Sequence, residues 1–258
     1  MTKLRKLPDD PWSAWASRII LNVQNYLDFY GRDLTIGGRQ RTVRDIAFVA
    51  SHCLKKEVII IQKAKVNFDK QDKYGNRIIG IKLPNVNVYS DPLFGLLSSR
   101  FLEARDAVIY FNGEHAWPFI VKNSKAYHTG VWWDGPFSLA KKQINAARIK
   151  QVVRRCKSIC CCDTNVINWI RDQGKKYFYL SSKAIYVPNY ADIKRIRFKK
   201  DDSPGCPIKI LYARRFTNQR GVWLILESAR LLKEKGINFH LFMLSPEGQA
   251  ISVDLIKS

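Results

Sequence analysis

The chain has 258 residues, 46% of them hydrophobic, which suffices for a buried core and excludes global disorder. Lys and Arg number 44 against 22 Asp and Glu, giving a net charge of +22 that points to an anionic partner: nucleic acid, an anionic membrane face or a phosphorylated substrate. No apolar run reaches the length of about 18 residues that a membrane-spanning helix needs, and prolines and charges stand where a leader would carry its apolar core.

Residues 1–17 show no periodicity, and Trp12 and Trp15 are expected to pack on the body. Residues 18–23 (RIILNV) predict a first strand. A polar stretch leads to Gly37-Gly38-Arg39-Gln40-Arg41, then to a helix with Val43, Ile46, Ala47, Ala50 and Leu54 on one face. Residues 57–61 (EVIII) form a continuous apolar run, the pattern of a buried parallel strand. Strand, glycine turn, helix and strand make a βαβ unit, and glycine there lets backbone approach a ligand closely. The dinucleotide fingerprint Gly-x-Gly-x-x-Gly is missing, so a nicotinamide enzyme is not supported.

Residues 62–90 are polar and predict strand pieces with connections, and 93–104 predict a helix. Residues 107–111 (AVIYF) predict a strand followed by Asn112, Gly113, Glu114, His115 and Trp117, a group well placed for a site outside a strand's carboxyl end. Residues 125–129 (KAYHT) predict a strand ending at His128-Thr129-Gly130, where a polar histidine suits sugar contact or acid–base work. Residues 138–156 predict a long basic helix whose cations suit a solvated face, anionic head groups or a phosphorylated acceptor.

Six cysteines are present, and Cys160, Cys161 and Cys162 are consecutive in a predicted strand at 158–162. Adjacent strand residues point to opposite faces, so the three cannot converge on a metal; buried reduced thiols, and hence a cytoplasmic compartment, are expected. Asp163 and Thr164 predict a cap for a helix at 165–171. A strand at 183–187 closes on Pro188-Asn189, and the charged stretch 190–206 reads as a linker. Residues 208–212 predict a strand, Arg220-Gly221 open a helix carrying Val222, Ile225, Ala229 and Leu232 on one face, Gly236 stops it, and 239–244 predict the next strand. Arg215 and Arg220 flank this turn near a helix N-terminus, which makes a phosphate seat.

In this order the pieces resemble the GT-B glycosyltransferases of glycosyltransferase family 4. Gly37-Gly38-Arg39-Gln40-Arg41 is similar to the family's Gly-Gly-x-x-Arg loop, and His128-Thr129-Gly130 to its mid-domain histidine motif. The segment 159–171 is similar to the family's next strand and helix, with Asp163 and Thr164 where serine is frequent. Pro188-Asn189-Tyr190-Ala191-Asp192 approximates Pro-Asn-Gly-x-Asp, with Tyr190 replacing glycine. The run 214–221 is similar to Gly-Arg-Leu-x-x-x-Lys-Gly, with Arg214 in place of the first glycine, Arg215 at the Arg position, Arg220 at the Lys position and Gly221 last.

The resemblance, over residues 18–250, implies an α/β protein of GT-B type. Its N-terminal Rossmann-like parallel-sheet domain (1–190) would take the acceptor. A linker (191–206) would lead to the first βαβ unit of a second Rossmann-like domain (207–258) for the donor. It implies a hexosyltransferase moving sugar from a nucleotide-diphosphate sugar, as co-substrate, to a glycan or lipid-linked acceptor in surface polysaccharide or lipopolysaccharide synthesis. Retention of configuration is implied, with no metal and no cofactor. His128, Arg215 and Arg220 would be catalytic; Gly37, Gly38, Arg39, Glu114, His115, Asn189 and Gly221 would bind substrate.

The expected location is the cytoplasm, with the inner face of its membrane as an anionic partner surface. The family's Glu-x7-Glu donor motif does not occur before Ser258, so a fragment with an uncovered strand edge and apolar helix faces is expected. Two rivals stay open. One is a basic nucleic-acid-binding α/β protein without activity, which salt-sensitive, sugar-independent oligonucleotide binding would reveal. The other is a catalytically dead remnant. With no nucleic-acid module recognisable in the sequence, nucleic acid is not the expected partner.

Overall fold

The computed structural model describes residues 16–33, 38–88, 91–111, 128–133, 154–162, 164, 167–168, 184–188, 207–213, 216 and 221–244. The chain divides into two compact units, Met1–Ala191 and Asp192–Ser258. Among the described residues, no helix is long and apolar enough to cross a membrane.

The first unit is built on an eight-stranded sheet. Its strands are β1 Arg18–Val23, β2 Glu57–Ala64, β3 Phe68–Gln71, β4 Arg77–Lys82, β5 Asp106–Phe111, β6 His128–Trp133, β7 Ser158–Cys161 and β8 Ala184–Tyr186, in the spatial order β3-β4-β2-β1-β5-β6-β7-β8. All neighbours run parallel except β3, which pairs antiparallel with β4. The predicted α/β class and parallel sheet are present.

Period-two alternation sorts the core into two layers. Ile20, Ile59, Ile61, Val108, Tyr110, Val131, Ile159 and Cys161 pack on one face of the sheet with Phe94. Leu21, Val23, Val58, Ile60, Phe111 and Trp132 pack on the other with Val43, Ala47 and Ala50 of helix α1, Gly38–Phe48, and the turn after it. Cys161 belongs to the first layer, Cys160 and Cys162 to the second, so the cysteine run diverges as the strand pattern requires. Burial of each such isoleucine contributes roughly 1.5–3 kcal/mol.

Three expectations are corrected. Leu54 does not extend the buried face of α1: it is 43% exposed. A π-helical turn, Val49–Cys53, follows α1, and the Leu54 N–H donates to the Val49 carbonyl five residues back. The extra residue in that turn rotates Leu54 off the α1 stripe.

The helix expected over 93–104 is shorter. Helix α2, Pro92–Ser98, starts on the Asp91 carboxylate, which accepts from the Leu93 N–H, and gives way to a 3-10 turn, Ser99–Phe101. Arg18 then takes the Phe101 carbonyl and the Asp106 carboxylate accepts from the Glu103 N–H, so β5 captures the chain before the helix can continue.

The strand expected to end at His128 begins there instead. Register with β5 runs from Ala107–His128 to Phe111–Trp132, which buries Val131 and Trp132. The predicted basic helix falls outside the described residues apart from its end at residues 154–156, and the helix expected at 165–171 is described only at residues 167–168.

In the second unit, β9 Ile208–Ala213 and β10 Phe239–Leu244 pair in parallel across helix α3, Val222–Glu234, as the sequence predicts. Gly221 caps α3 at φ 79°, and Gly236 ends it at φ 69°, both in the left-handed region where glycine carries no steric penalty. Tyr212 of β9 and Val222 of α3 are buried. On the other face of the strand pair, Leu211 is 62% and Leu244 59% exposed.

Candidate functional site

The chain leaves β1 toward α1 and β2 on one side, whereas β5 leads to β6 on the other. Neighbouring parallel strands whose connections diverge leave a crevice outside their carboxyl ends, where ligands of open α/β sheets sit. The β1–β5 boundary is that switch point in this sheet.

Gly38 stands at the first turn of α1, on the connection leaving β1. Among the described residues, a Cβ placed on Gly38 would meet nothing within 4 Å, and the residue has no positive φ. Its described surroundings therefore make no demand for glycine at 38, in a helix where glycine costs about 1 kcal/mol relative to alanine. Arg39, half-buried, follows in the same turn. Gly37, Glu114, His115, Asn189, Arg215 and Arg220 lie outside the described residues, so Gly38 and Arg39 alone are located beside the crevice. Gly221 is in the second unit as the left-handed cap of α3.

His128 is the first residue of β6, paired with Ala107 near the start of β5. It stands at the amino edge of the sheet, away from the switch-point crevice, so the strand-end argument does not apply to it. The polar residue that follows the carboxyl end of β6 in the sequence is Asp134.

The loop from 24 to 33, between β1 and α1, is held from beneath by Gln62, a residue the sequence reading passed over. Gln62 is fully buried near the carboxyl end of β2. Its Oε1 accepts the N–H groups of Tyr26 at 2.8 Å and Leu27 at 2.7 Å. Its Nε2 donates to the carbonyls of Leu27, Asp28 and Lys63. Backbone bonds from Lys63 to the Gln24 carbonyl and from Lys65 to the Phe29 carbonyl add to the seam. The available signal was a polar Gln-Lys pair closing the apolar run of β2.

Within the loop, the Asp28 carboxylate accepts from the Tyr30 and Arg32 N–H groups and from Arg32 Nε, each at 2.8 Å. Desolvation would raise its pKa, but these donors together hold it below the usual carboxylate value. Lys63 is buried, donates through Nζ to the Val88 carbonyl and lies 5.4 Å from the Phe94 ring centroid. Burial pushes its amine below the ordinary lysine value, with Asp91 opposing. Burial, then the negative Asp72, pushes the Tyr26 phenol up.

No protein-family model matches the sequence, and no curated protein matches it. Two similar solved structures are an α,α-trehalose 6-phosphate synthase from Burkholderia multivorans (TM-score 0.57, 12% identity) and an α,α-trehalose-phosphate synthase (UDP-forming) from Burkholderia vietnamiensis (TM-score 0.54, 11% identity). The alignments cover 94% and 93% of this chain, but the chain spans only 65% and 67% of those proteins' length. At such identities the likeness speaks for architecture alone: this chain has the α/β fold of the GT-B type.

Proposed function

We propose that the chain belongs to a glycosyltransferase that moves a sugar from a nucleoside-diphosphate sugar to a glycan or lipid-linked acceptor. The observation that carries the reading is the glycine at 38, which its described surroundings do not require, beside the β1–β5 switch point. Backbone free of a side chain at a helix N-terminus suits close approach to a phosphate or sugar. One similar structure is named UDP-forming, which favours a uridine nucleotide as the donor's leaving group.

In this reading Arg215 and Arg220 supply fixed cations where negative charge develops on the departing diphosphate. Gly221 keeps backbone close to the donor; Gly37, Gly38, Arg39, Glu114, His115 and Asn189 contact substrate. Affiliation with glycosyltransferase family 4, retention of configuration, metal independence, surface-polysaccharide synthesis and work at the inner membrane face belong to the same proposal. They rest on the four remaining motif likenesses, at 37–41, 159–171, 188–192 and 214–221, and on the basic character of the chain. Asp134 takes the mid-domain role first given to His128, because it follows the carboxyl end of β6 in the sequence.

The test is UDP binding and UDP release from UDP-sugars by the native protein. Arg215→Ala and Arg220→Ala are expected to weaken UDP binding by about tenfold or more each. Asp134→Asn is expected to lower turnover and His128→Ala to leave it unchanged. Unaltered UDP affinity in both arginine variants would sink the phosphate-seat assignment.

A further inference from the structure

Tyr30 stands on the 24–33 loop, on the carboxyl edge of the first unit's sheet, with 47% of its surface exposed. The Arg32 guanidinium carbon lies 5.3 Å, and Lys65 Nζ 5.2 Å, from its ring centroid. An exposed aromatic face is thus flanked by two cations from different segments, the loop and the end of β2.

The support beneath is hydrogen-bonded throughout. Gln62 holds Tyr26 and Leu27, Asp28 holds the Tyr30 and Arg32 N–H groups, and Lys70 Nζ donates to the Gly31 carbonyl at 2.8 Å. Gly31 has φ +77°, and a Cβ there would come within 2.9 Å of the Phe68 ring, so loop and hairpin are closed against each other. The ion pair with Asp28 aligns Arg32 beside the ring while its side chain stays 73% exposed. Among the described residues no carboxylate pairs with Lys65.

We propose that Tyr30, Arg32 and Lys65 form a seat for an anionic saccharide, and that in the transferase this is where an acceptor bearing carboxylate or phosphate groups docks. The acceptor role rests on the transferase reading above; the seat itself rests on the local geometry. The phenol face offers an apolar platform for the C–H face of a sugar ring, while the two cations reach acidic substituents at its rim. Single-stranded nucleic acid is less well served, because successive bases stack on several aromatics along a groove. Phe68, the neighbouring aromatic, is occupied against Gly31 and Gly80 and lies beneath Lys70.

The experiment titrates the full chain with tetragalacturonate, neutral maltotetraose and a short oligothymidylate, at low and high salt, with UDP titrated separately. Tetragalacturonate is expected to bind more tightly than maltotetraose, with affinity falling as salt rises. Tyr30→Leu and Lys65→Gln are each expected to weaken that binding about three- to tenfold. The Tyr30→Leu variant keeps its urea midpoint, because the loop is held through backbone groups and Gln62 rather than through the ring. Equal tetragalacturonate affinity for native chain and Tyr30→Leu overturns the proposal, as does Tyr30-dependent binding confined to oligothymidylate. Loss of UDP binding with the Tyr30-dependent saccharide binding intact counts against the transferase reading alone; the reverse result counts against the seat alone.

Discussion

The Gln62 side-chain oxygen accepts the Leu27 N–H at 2.7 Å, joining residues 35 positions apart in sequence. The same amide accepts a second N–H and shares its two NH2 hydrogens among three carbonyls, so one buried side chain replaces the secondary structure that the 24–33 loop lacks. The connection that leaves β1 starts on this support.

Replacing Gln62 by Leu keeps the volume near constant but strands those backbone groups without a partner. Each buried group left unsatisfied costs about 1–3 kcal/mol, so a loss of roughly 2–4 kcal/mol is expected after partial rescue by water. Urea denaturation measures it; a loss under about 0.5 kcal/mol would mean the loop finds other partners.

Arg18 and Asp106 tie β1 to β5 at the opposite edge. Arg18 Nε and Nη2 donate to the two carboxylate oxygens at 2.9 and 2.8 Å, and Asp106 is fully buried. The hydrogen bond to Asp106 is the main reason the guanidinium pKa is raised. Asp106→Ala is expected to cost about 3–5 kcal/mol, because the partly buried cation loses its buried partner and keeps only the exposed Glu103 carboxylate. A parallel Arg18→Met, Asp106→Leu double variant is expected to recover much of the loss, by the same denaturation assay.

Lys63 makes stability depend on pH on the alkaline side. Its folded pKa lies below the ordinary lysine value, burial being the larger cause. Between the two pKa values the unfolded chain binds more protons than the folded one, so this group's contribution to stability rises with pH there. Below the folded pKa both states are protonated and its contribution is flat. Lys63→Met is expected to remove that rise while holding or increasing stability at neutral pH. Urea midpoints across neutral to alkaline pH decide it: a variant whose midpoints track the native protein's would rule the linkage out.

Gly80 lies against Phe68 so closely that an added Cβ would collide with the ring. Gly80→Ala is expected to destabilise by about 1–3 kcal/mol through overpacking. The cost should largely vanish in a Phe68→Ala background, giving a coupling energy of about 1 kcal/mol or more in a double-mutant cycle. Additive single effects would show that the ring is free to move aside.

Gly221→Ala tests the second unit by itself. Gly221 sits at φ 79°, and among the described residues its would-be Cβ meets only Leu224 Cβ at 3.9 Å, so the strain is in the backbone rather than in packing. A loss of about 1–2 kcal/mol is expected. Circular dichroism during denaturation would follow it, and an unchanged midpoint would mean the cap relaxes out of the left-handed region.

What the sequence determined by itself was the run of strands and helices whose signal is local. Continuous apolar runs such as EVIII and AVIYF, glycines at 221 and 236, and the period of α3 each specify an element within a dozen neighbours. Divergence of Cys160 from Cys161 likewise follows from strand geometry alone. What only the tertiary structure decided depends on partners far along the chain. The register of β6 was settled by pairing with β5, which buries Val131 and Trp132 and puts His128 at the amino edge. The π turn after α1 moved Leu54 to the surface; the clasp of Gln62 on the 24–33 loop and the approach of Lys65 to Tyr30 join segments 30 or more residues apart. Such contacts leave no periodic trace, because one hydrogen-bonding side chain or one ring has no pattern to repeat, and its partner is chosen by the fold.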